Sequence, residues 1–472
     1  MMFQRFAGLR HAHFVGIGGA GMSGIAEVLL QYELTVSGCD QSDGEAVDRL
    51  RRLGVAIERG HSIDHLEGVD LVVVSSAIGS ANPEVVEARR RSIPVVRRAE
   101  MLAELMRLTY GIAVAGTHGK TTTTSLVGAI LTEAGLDPTV IVGGRLRITG
   151  TGARLGSSDY MVVEADEFDR SFLSLSPVLA VITNVDRDHL DTYQDLDAIG
   201  DAFVAFASRV PFFGQVIACA DDANLAALLP RLGDRRVTTY GLGEGCALRA
   251  VDLEMTPAGS SFTVLHRASP GSDSAALGRV TVPLPGIHNV RNAVGAIGVA
   301  IALGVPVPVM ARALAAFGGV HRRFERLGTL RGAEIVDDYA HHPTEVSATL
   351  AAARQVFPHR VLHAVFQPHL YSRTRDLATD FGRALAAADH VIVTDVYPSR
   401  EAPIPGVTGE LVARAARQAG HARVDYVANW RAAKEALLAL GPDDVVLTLG
   451  AGDVYRLAEE LAAQGVVQEA RA

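Results

Sequence analysis

The segment Tyr110-Gly-Ile-Ala-Val-Ala-Gly-Thr-His-Gly-Lys-Thr-Thr-Thr-Thr-Ser125 passes from an apolar run through a glycine-bracketed lysine into a run of threonines. The apolar run predicts a short strand, and residues 121–134 predict a helix. Residues 116–120 would then connect a strand to the first turn of a helix, where unpaired N–H groups and the helix dipole favour an anion. The segment therefore predicts an α/β domain with a loop that binds the phosphates of ATP or a similar nucleotide.

The lysine of this loop is one of only two in the chain. Lys120 and Lys434 stand among 44 basic residues, so arginine is used almost everywhere else. A slim ammonium reaches between phosphates where a planar guanidinium would crowd them, which explains why lysine is kept here. Val114 stands where the common phosphate-loop pattern has its first glycine. The alternative is a glycine-rich turn that only caps a helix.

Length and composition describe an ordinary globular protein. The chain of 472 residues is too long for a single core, so two or three domains are expected. Its net charge of −9 argues against a nucleic-acid or acidic-membrane surface. The three cysteines lie far apart without metal-ligand spacing, and we expect them to be buried thiols in a reducing compartment.

We expect a soluble, cytoplasmic protein, because no secretory signal is apparent and the N-terminus turns directly into a predicted strand. The uncharged stretch 293–310 approaches the length of a membrane span. Pro306 and Pro308 interrupt it, so the stretch is interpreted as a buried helix.

Strand-like and helix-like segments alternate along the chain, which predicts mainly parallel sheets with helices on their faces. Three α/β domains fit the length: an N-terminal Rossmann-like domain (1–108), a central ATPase-type domain with the phosphate loop (109–318) and a C-terminal Rossmann-like domain (319–472). Short alternating apolar segments between about 247 and 285 predict a small antiparallel sheet.

A second glycine motif, Gly16-x-Gly18-x-x-Gly21, lies between a predicted strand and a predicted helix. Asp40 ends the next predicted strand, as the acidic residue of a dinucleotide-binding fingerprint does. Glycines at a helix N-terminus accept any diphosphate, so a UDP-sugar fits as well as a dinucleotide. The alternative is a purely structural role in close packing of helix on strand.

Acidic residues follow two predicted strands of the central domain. Glu164 stands at the carboxyl end of an apolar strand, where it is suited to hold Mg²⁺ against nucleotide phosphates. His189 lies in the second cluster and could ligate another metal ion, although a helix cap would explain the aspartates around it without metal. The clusters are Glu164, Asp166, Glu167 and Asp169, and Asp186, Asp188, His189 and Asp191.

The C-terminal domain carries three polar clusters rich in arginine and histidine. Each follows an apolar strand or opens the domain. Such side chains suit the binding of a carboxylate and the stabilisation of phosphoryl charge. The clusters occupy residues 322–325, 337–343 and 367–375.

Taken together and in this order, the motifs closely resemble those of the Mur ligases of peptidoglycan synthesis. The resemblance covers nearly the whole chain and is specific as an ordered set. Within the family, the motifs are most similar to those of members that join L-alanine to UDP-N-acetylmuramate. The matching segments are 16–26, 116–125, 164–172, 183–193, 286–293, 322–325, 337–345, 367–376 and 449–453.

The resemblance implies that UDP-N-acetylmuramate and L-alanine are the substrates, joined with ATP and Mg²⁺ by way of an acyl phosphate. It implies neither a nucleic-acid partner nor membrane insertion, and it leaves the oligomeric state open. No enzyme nucleophile is needed, because the substrate carboxylate itself attacks the γ-phosphate. The catalytic residues that it implies are Lys120, Glu164, His189 and Arg373.

Binding residues are also implied by the resemblance, one group for each ligand. ATP would be bound by Gly116, Thr117, His118, Gly119, Lys120, Thr121, Thr122, Asn289, Asn292, Arg323 and Asp338. Magnesium would be bound by Thr121, Glu164 and His189. The UDP-sugar would be bound by Gly18, Gly19, Ala20, Gly21, Met22, Ser23, Asp40 and Ser75. L-alanine would be received by Tyr339, His341, His369 and Arg373.

Phe168, Arg170 and Leu370 depart from residues that are frequent in the family, at positions next to the implied substrate contacts. The nearest alternative within the family is a ligase that attaches a whole tripeptide to the same UDP-sugar. Residues 171–173 and 192–193 favour the alanine enzyme. A dehydrogenase that uses the first glycine motif is the alternative from another class, but it leaves the Lys120 loop unexplained.

Several Mur ligases that add later amino acids carry a carbamylated lysine in the central domain. This chain has no lysine between Thr121 and Ala433, and Lys120 is assigned to phosphate. We therefore expect an enzyme that works without a carbamylated lysine.

Overall fold

The computed structural model describes residues 8–19, 21–75, 77–146, 151–168, 170–188, 192–269, 271–399, 401–437 and 439–469. The chain divides into two compact units. The first consists of Met1–Val251, Thr263–Val280 and Arg291–Gly318, and the second of Asp252–Phe262, Thr281–Val290 and Gly319–Ala472.

The N-terminal part of the first unit is a parallel sheet with helices between its strands. Its elements are β1 (His11–Val15), α1 (Met22–Gln31), β2 (Thr35–Asp40), α2 (Glu45–Arg52), β3 (Ala56–Arg59), β4 (Leu71–Val74), α3 (Pro83–Arg90), β5 (Val95–Arg97) and α4 (Arg98–Arg107). The strand order is β3-β2-β1-β4-β5, and the recorded pairings are parallel. This is the Rossmann-like order, in which the chain changes direction across the sheet after β3.

A larger sheet carries the phosphate loop. Its strands are β6 (Tyr110–Ala115), β7 (Thr139–Leu146), β8 (Thr151–Arg154), β9 (Tyr160–Glu164), β10 (Leu179–Ile182), β11 (Gln215–Cys219), β12 (Val237–Gly241), β13 (Leu248–Thr256), β14 (Gly259–His266) and β15 (Ala275–Val282). The accompanying helices are α5 (Lys120–Glu133), α6 (Leu196–Ala207), α7 (Ala223–Leu228), α8 (Ile287–Ala302) and α9 (Val307–Ala315). The strand order is β15-β14-β13-β12-β11-β10-β6-β9-β7-β8, so β6 lies between β9 and β10.

The strands between 247 and 285 extend the central sheet, which corrects the expectation that they form a small sheet of their own. β13 pairs in parallel with β12, and Tyr240 lies opposite Leu248. A strand at a sheet edge presents unpaired N–H and C=O groups, and β13 satisfies those of β12. The alternation of apolar and polar residues predicts strands in this stretch, but it does not show with which strand β13 pairs.

The C-terminal part of the chain forms a third sheet. Its strands are β16 (Glu325–Leu330), β17 (Ala333–Asp338), β18 (Val361–Phe366), β19 (His390–Val393), β20 (Val424–Tyr426) and β21 (Asp444–Leu449), and its helices are α10 (Pro343–Val356), α11 (Tyr371–Leu385), α12 (Glu410–Gln418), α13 (Trp430–Leu437) and α14 (Tyr455–Glu469). The strand order is β16-β17-β21-β18-β19-β20, and only the recorded pairing of β16 with β17 is antiparallel. Two separate clusters of buried apolar side chains pack in this region, so the sheet is covered by helices on both faces.

The uncharged stretch 293–310 is divided between two helices, as its prolines predict. α8 ends at Ala302, and α9 begins at Val307 with Pro306 as its N-cap. Most of the described α8 side chains after Asn292 are buried. No helix in the described part of the chain is both long enough and apolar enough to cross a membrane.

Candidate functional site

The carboxyl ends of three neighbouring strands place the phosphate loop beside the starts of the two acidic segments of the central domain. Val114 of β6 lies opposite Glu164 of β9, and Ala115 of β6 lies opposite Ile182 of β10. Because the strands are parallel, the loops that follow them emerge at the same sheet edge. The phosphate loop therefore lies between the segment after Glu164 and the segment after Ile182.

Two glycines give the phosphate loop its shape. Gly116 and Gly119 have φ angles of 134° and 81°, in the region that favours glycine. A Cβ atom on Gly119 would lie 2.5 Å from Oδ1 of Asn292, and one on Gly116 would overlap the hydroxyl of Thr183. The loop can therefore adopt this conformation only with glycine at both positions. Asn292, which was predicted to contact the adenine, lies beside Gly119.

The ammonium of Lys120 is held over its own loop. Lys120 Nζ donates to the carbonyl oxygens of Gly116 and Thr117 at 2.7 and 3.2 Å, and to both carboxylate oxygens of Glu167 at 3.0 and 2.8 Å. Burial alone would lower the pKa of Lys120, but the carboxylates of Glu167, Asp166 and Glu164 raise it well above its usual value. The side chain is thus a cation held in place at the N-terminus of α5.

Glu167 is the partner that sequence reasoning left unassigned. Its side chain is 2% exposed, and burial raises the pKa of Glu167 although the ammonium of Lys120 acts in the opposite direction. Its backbone carbonyl accepts a hydrogen bond from Tyr193 at 2.7 Å, and the guanidinium of Arg170 lies 4.9 Å from the centre of the Tyr193 ring. Arg170, one of the departures from the family pattern, therefore helps to fix the loop that presents Glu167.

Thr121 and Glu164 form a set of oxygen donors one residue beyond the lysine. Thr121 Oγ1 lies 3.0 Å from each carboxylate oxygen of Glu164, and the N–H of Gly143 donates to Glu164 Oε2 at 2.7 Å. Hydroxyl and carboxylate oxygens are the ligands that Mg²⁺ prefers. Two of the three predicted magnesium donors are thus brought together, and their oxygens suit the ion.

The segment after β10 braces the other side of the loop. The N–H of His118 donates to Asn184 Oδ1 at 2.8 Å, and Asn184 Nδ2 donates back to the carbonyl of His118 at 3.0 Å. The imidazole of His118 also pairs with Asp186, Nε2 to Oδ2 at 3.0 Å. No role was predicted for Asn184. Its position directly after a strand of the same sheet was the available signal.

Helix α5 continues from the loop in spite of four successive threonines, which as β-branched residues favour strands. The hydroxyl of Thr124 donates to the carbonyl of Lys120 at 2.9 Å, and that of Ser125 donates to Thr121 at 2.7 Å. Thr123 and Thr124 are fully buried. The hydroxyls of Thr124 and Ser125 are satisfied four residues back along the helix, whereas that of Thr123 has no hydrogen-bond partner among the described residues.

The N-terminal glycine motif forms a tight loop after β1. Gly16 and Gly21 have φ angles of 81° and 78°. The N–H of Gly18 donates to Asp40 Oδ2 at 2.9 Å, so the predicted acidic residue shapes the loop. A Cβ atom on Gly21 would lie 3.2 Å from Nη1 of Arg98. Arg98 is a cation at this loop that sequence reasoning missed.

The remaining residues assigned to the UDP-sugar lie around the same loop. Met22 and Ser23 are buried in the first turn of α1, and the N–H of Gly19 donates to the carbonyl of Gly16 at 3.2 Å. A Cβ atom on Gly16 would lie 3.3 Å from the hydroxyl of Ser75. Ala20 lies outside the described residues, as do Asp169, His189 and Asp191 of the acidic clusters.

In the second unit, aromatic and imidazole rings gather at the ends of β17 and β18. The ring centres of Tyr339 and His341 lie 5.2 Å apart, and those of His341 and His369 lie 6.0 Å apart. His369 stacks on Tyr397, with ring centres 5.9 Å apart and planes inclined by 12°. Three of the four residues predicted to receive L-alanine are therefore neighbours, and Tyr397 joins them without having been predicted.

Several charged residues lie next to this group of rings. Arg322 forms a buried ion pair with Asp337, Nε to Oδ2 at 2.8 Å. Arg323 Nη1 lies 3.7 Å from Glu345 Oε1, and Glu345 Oε2 lies 3.2 Å from His341 Nδ1. Glu345 thus links a predicted nucleotide residue to a predicted alanine residue.

Asp338 supports the backbone at this point. Its two carboxylate oxygens accept the N–H groups of Phe324 and Ala340 at 2.7 and 2.8 Å. Burial raises the pKa of Asp338 to about 6, although the guanidinium of Arg323 acts to lower it. Asp338 therefore holds together the two segments that carry Arg323 and Tyr339.

The last predicted side chains are also buried. Arg373 is 8% exposed in the first turn of α11, directly after Leu370, whose φ of 68° is unusual for leucine. Asn289, also in the second unit, donates to the carbonyl of Pro285 at 2.8 Å. Thr122 is buried in the first turn of α5.

Comparison with known proteins identifies the family of this chain. Three protein-family models match successive parts of the chain: the Mur ligase family, catalytic domain at residues 11–110, the Mur ligase middle domain at 114–300, and the Mur ligase, glutamate ligase domain at 322–452. A UDP-N-acetylmuramate–L-alanine ligase of Solidesulfovibrio magneticus is 52% identical over 95% of this chain and 97% of its own length. The chain belongs to the Mur ligase family.

Solved structures agree with this assignment. A Mur ligase from Thermotoga maritima, described as a UDP-N-acetylmuramate–alanine ligase, has a TM-score of 0.79, is 29% identical and matches over 98% of this chain and 99% of its own. A murein peptide ligase of Psychrobacter arcticus has a TM-score of 0.68 at 25% identity, over 96% and 98% of the two chains. The predicted family and the three-domain α/β fold are therefore confirmed, while the domain boundaries and residue roles stay predictions.

Proposed function

We propose that this Mur ligase joins L-alanine to the carboxylate of UDP-N-acetylmuramate at the expense of ATP, in the synthesis of peptidoglycan precursors. The observation that carries the proposal is the identity of about half of all residues, over nearly the full length, with relatives named UDP-N-acetylmuramate–L-alanine ligase. The arrangement of Lys120, Thr121 and Glu164 supports the ATP-dependent part.

The chemistry proceeds in two displacements. A carboxylate oxygen of UDP-N-acetylmuramate attacks the γ-phosphorus of ATP, the bond to the β,γ-bridging oxygen breaks, and ADP leaves. The amine of L-alanine then attacks the acyl carbon, and phosphate departs with its oxygen. Both displacements concentrate negative charge on phosphate oxygens, and a fixed cation lowers the energy of that charge.

Lys120 supplies this cation in the proposal. Its pKa is held high by surrounding carboxylates, so the ammonium stays protonated through the reaction. Glu167, Gly116 and Thr117 hold it over the loop, within reach of a phosphate placed at the start of α5. The N–H groups in the first turn of α5 lack acceptors within the helix and favour the same anion.

Thr121 and Glu164 are proposed to hold Mg²⁺, since their oxygens already lie 3.0 Å apart. The ion would neutralise phosphate charge and orient the γ-phosphoryl group for in-line attack. A role of His189 in binding a second ion stays a prediction. We assign Asn289 and Asn292 to the adenine on the strength of the family resemblance.

The UDP-sugar is proposed to bind at the N-terminal glycine loop. Its positive φ angles and the nearby guanidinium of Arg98 suit a diphosphate, while Asp40 holds the loop through Gly18. In the second unit, the ring group of Tyr339, His341 and His369, together with Arg373, is assigned to L-alanine. The contributions of Arg323 and Asp338 to ATP binding stay predictions.

A direct test measures ADP release with UDP-N-acetylmuramate and each of L-alanine, L-serine, glycine and the L-alanyl-containing tripeptide. The proposal requires turnover with L-alanine that depends on both the UDP-sugar and ATP. Turnover with the tripeptide but not with L-alanine would assign the chain to the tripeptide-adding branch of the family. ATP consumption that is indifferent to the UDP-sugar would overturn the proposed reaction altogether.

A further inference from the structure

Four potential metal ligands meet inside the N-terminal part of the first unit, in residues that the proposed reaction does not use. They come from different elements: a buried position on β1, another on β2, the turn at Ile63–Leu66 and the first turn of α3. One donor atom from each lies within 4.8 Å of all the others. The four residues are His13, Cys39, His65 and Glu84, called here the His–Cys–His–Glu cluster.

The spacing of these atoms suits a tetrahedral ion. Cys39 Sγ lies 3.1 Å from Glu84 Oε2, His65 Nδ1 lies 2.6 Å from Glu84 Oε1, and His13 Nε2 lies 3.6 Å from the same oxygen. Ligand atoms bound to zinc at its usual distances lie about 3.3–3.8 Å from one another, by tetrahedral geometry. Small displacements of these side chains would therefore open a site of the required size.

One buried atom of the cluster, Nε2 of His13, has no hydrogen-bond partner in the described part of the chain. His13 is 1% exposed, and among the residues that the structure describes none forms a hydrogen bond with its Nε2. Its Nδ1 lies 2.8 Å from the hydroxyl of Ser37, which can accept the ring N–H there. That tautomer directs the lone pair of Nε2 at the carboxylate of Glu84, an arrangement that a cation between them stabilises.

The donor set selects the kind of ion. A thiolate with two imidazoles and one carboxylate suits zinc, whereas magnesium and calcium prefer oxygen ligands. The charges also balance, because the thiolate and the carboxylate together neutralise a divalent cation in a buried place. Four protein ligands complete the tetrahedron and leave no position for a reacting water, which is typical of structural zinc.

We propose that the His–Cys–His–Glu cluster binds a structural zinc ion. On binding, the S–H bond of Cys39 is replaced by a bond from sulfur to zinc, and the proton passes to solvent. His61 supports the site from outside, because its Nδ1 lies 3.1 Å from Glu84 Oε2 and 3.3 Å from Cys39 Sγ. The ion would link β1 and β2 directly to α3, because its ligands come from all three elements.

The site would also stiffen the N-terminal glycine loop. The carbonyl oxygen of Cys39 accepts the N–H groups of Gly16 and Ile17 at 2.9 and 3.1 Å. The next residue, Asp40, accepts the N–H of Gly18. A ligand residue fixed by zinc is therefore the same residue that anchors the start of the loop.

The experiment uses the full chain, prepared without a histidine tag and dialysed against metal-free buffer. Elemental analysis should find about one zinc ion per chain in the native protein. Cobalt substitution should produce a sulfur-to-cobalt charge-transfer band. Cys39→Ser should lose both signals. Cys219→Ser is the matched control, because Cys219 is equally buried but lies on β11, outside the cluster, and it should keep both.

A second variant covers the case in which Cys39→Ser does not fold. His65→Ala removes a partly exposed ligand, and competition with a chromophoric chelator should show zinc affinity at least about tenfold weaker. Zinc added to metal-depleted native protein should raise its melting temperature. A native protein that neither retains zinc nor gains thermal stability with it would overturn the proposal, leaving a metal-free hydrogen-bonded network around Glu84. Equal zinc affinity in His65→Ala would overturn it as well.

Discussion

Replacing Lys120 by methionine should destabilise the first unit in a pH-dependent manner, because it removes the cation that opposes the burial of Glu167. Both carboxylate oxygens of Glu167 lie within 3.0 Å of the ammonium, and the side chain is almost inaccessible to water. Burial already raises the pKa of Glu167 with the lysine present. Without the lysine the pKa rises further, and the folded variant holds Glu167 as a neutral acid.

The magnitude follows from the proton balance. The unfolded chain releases the glutamate proton above about pH 4.3, whereas the folded Lys120→Met variant keeps it at neutral pH. Because the folded state binds more protons in this range, its stability falls as pH rises, by about 1.4 kcal/mol for each pH unit. From pH 5 to pH 7 the free energy of unfolding of the variant falls by about 2.7 kcal/mol, which is about a hundredfold in the equilibrium between its folded and unfolded states.

Glu167→Gln should rescue the lysine variant at neutral pH, since an amide has the shape of the protonated acid and cannot ionise. Lys120→Met and Lys120→Met/Glu167→Gln should be about equally stable at about pH 4. At pH 7 the double variant should be more stable by about 3 to 4 kcal/mol. Amide hydrogen exchange in peptides from α5 measures this locally and does not require that both units unfold together.

The other lysine is a matched control. Lys434 pairs with Glu460 on the surface, where the two side chains are 22% and 47% exposed. Lys434→Met should cost at most about 1 kcal/mol, and Glu460→Gln should not rescue it at any pH. If Glu167→Gln likewise failed to rescue Lys120→Met at pH 7, the buried ion pair of Lys120 with Glu167 would not be the source of the instability.

Three further predictions concern the proposed reaction. Activity should be the same in decarbonated buffer and with added bicarbonate, since the central domain has no lysine free to form a carbamate; stimulation by bicarbonate would contradict this. Gly119→Ala should nearly abolish ATP-dependent turnover, because its Cβ meets Asn292, whereas Gly135→Ala, which has a similar φ of 74° but open space around it, should only lose about 1 kcal/mol of stability. Arg373→Ala should raise the KM for L-alanine much more than the KM for ATP in steady-state kinetics, and an equal rise in both would remove Arg373 from the alanine site.

Local patterns predict the phosphate loop and the fold class for a physical reason. The conformation of the phosphate loop depends on its two glycines and on the adjoining strand and helix, all of which are encoded by neighbouring residues. The positive φ angles at Gly116 and Gly119 and the helix that begins at Lys120 are properties of adjacent residues. Alternating strand and helix patterns likewise report which faces are buried, and so they predict parallel α/β sheets.

Pairings between distant residues could not be obtained in this way. The end of an apolar strand predicted Glu164 as a magnesium ligand, but no sequence pattern shows which carboxylate after β9 takes the ammonium of Lys120, and the structure gives it to Glu167. Nor does a pattern reveal that β13 adds to the edge of β12.

The His–Cys–His–Glu cluster is the clearest case of contacts that the sequence does not predict. Its members have no metal-ligand spacing along the chain, and Cys39 was expected to be an isolated buried thiol. Parallel strands and their crossover helices bring residues from separate β-α units to one face of a sheet, so spacing in the sequence says nothing about their distance in space. The sequence by itself thus determined the fold class and the loop chemistry. Only the tertiary structure decided which charged and metal-binding side chains face one another, because those contacts depend on strand order and register.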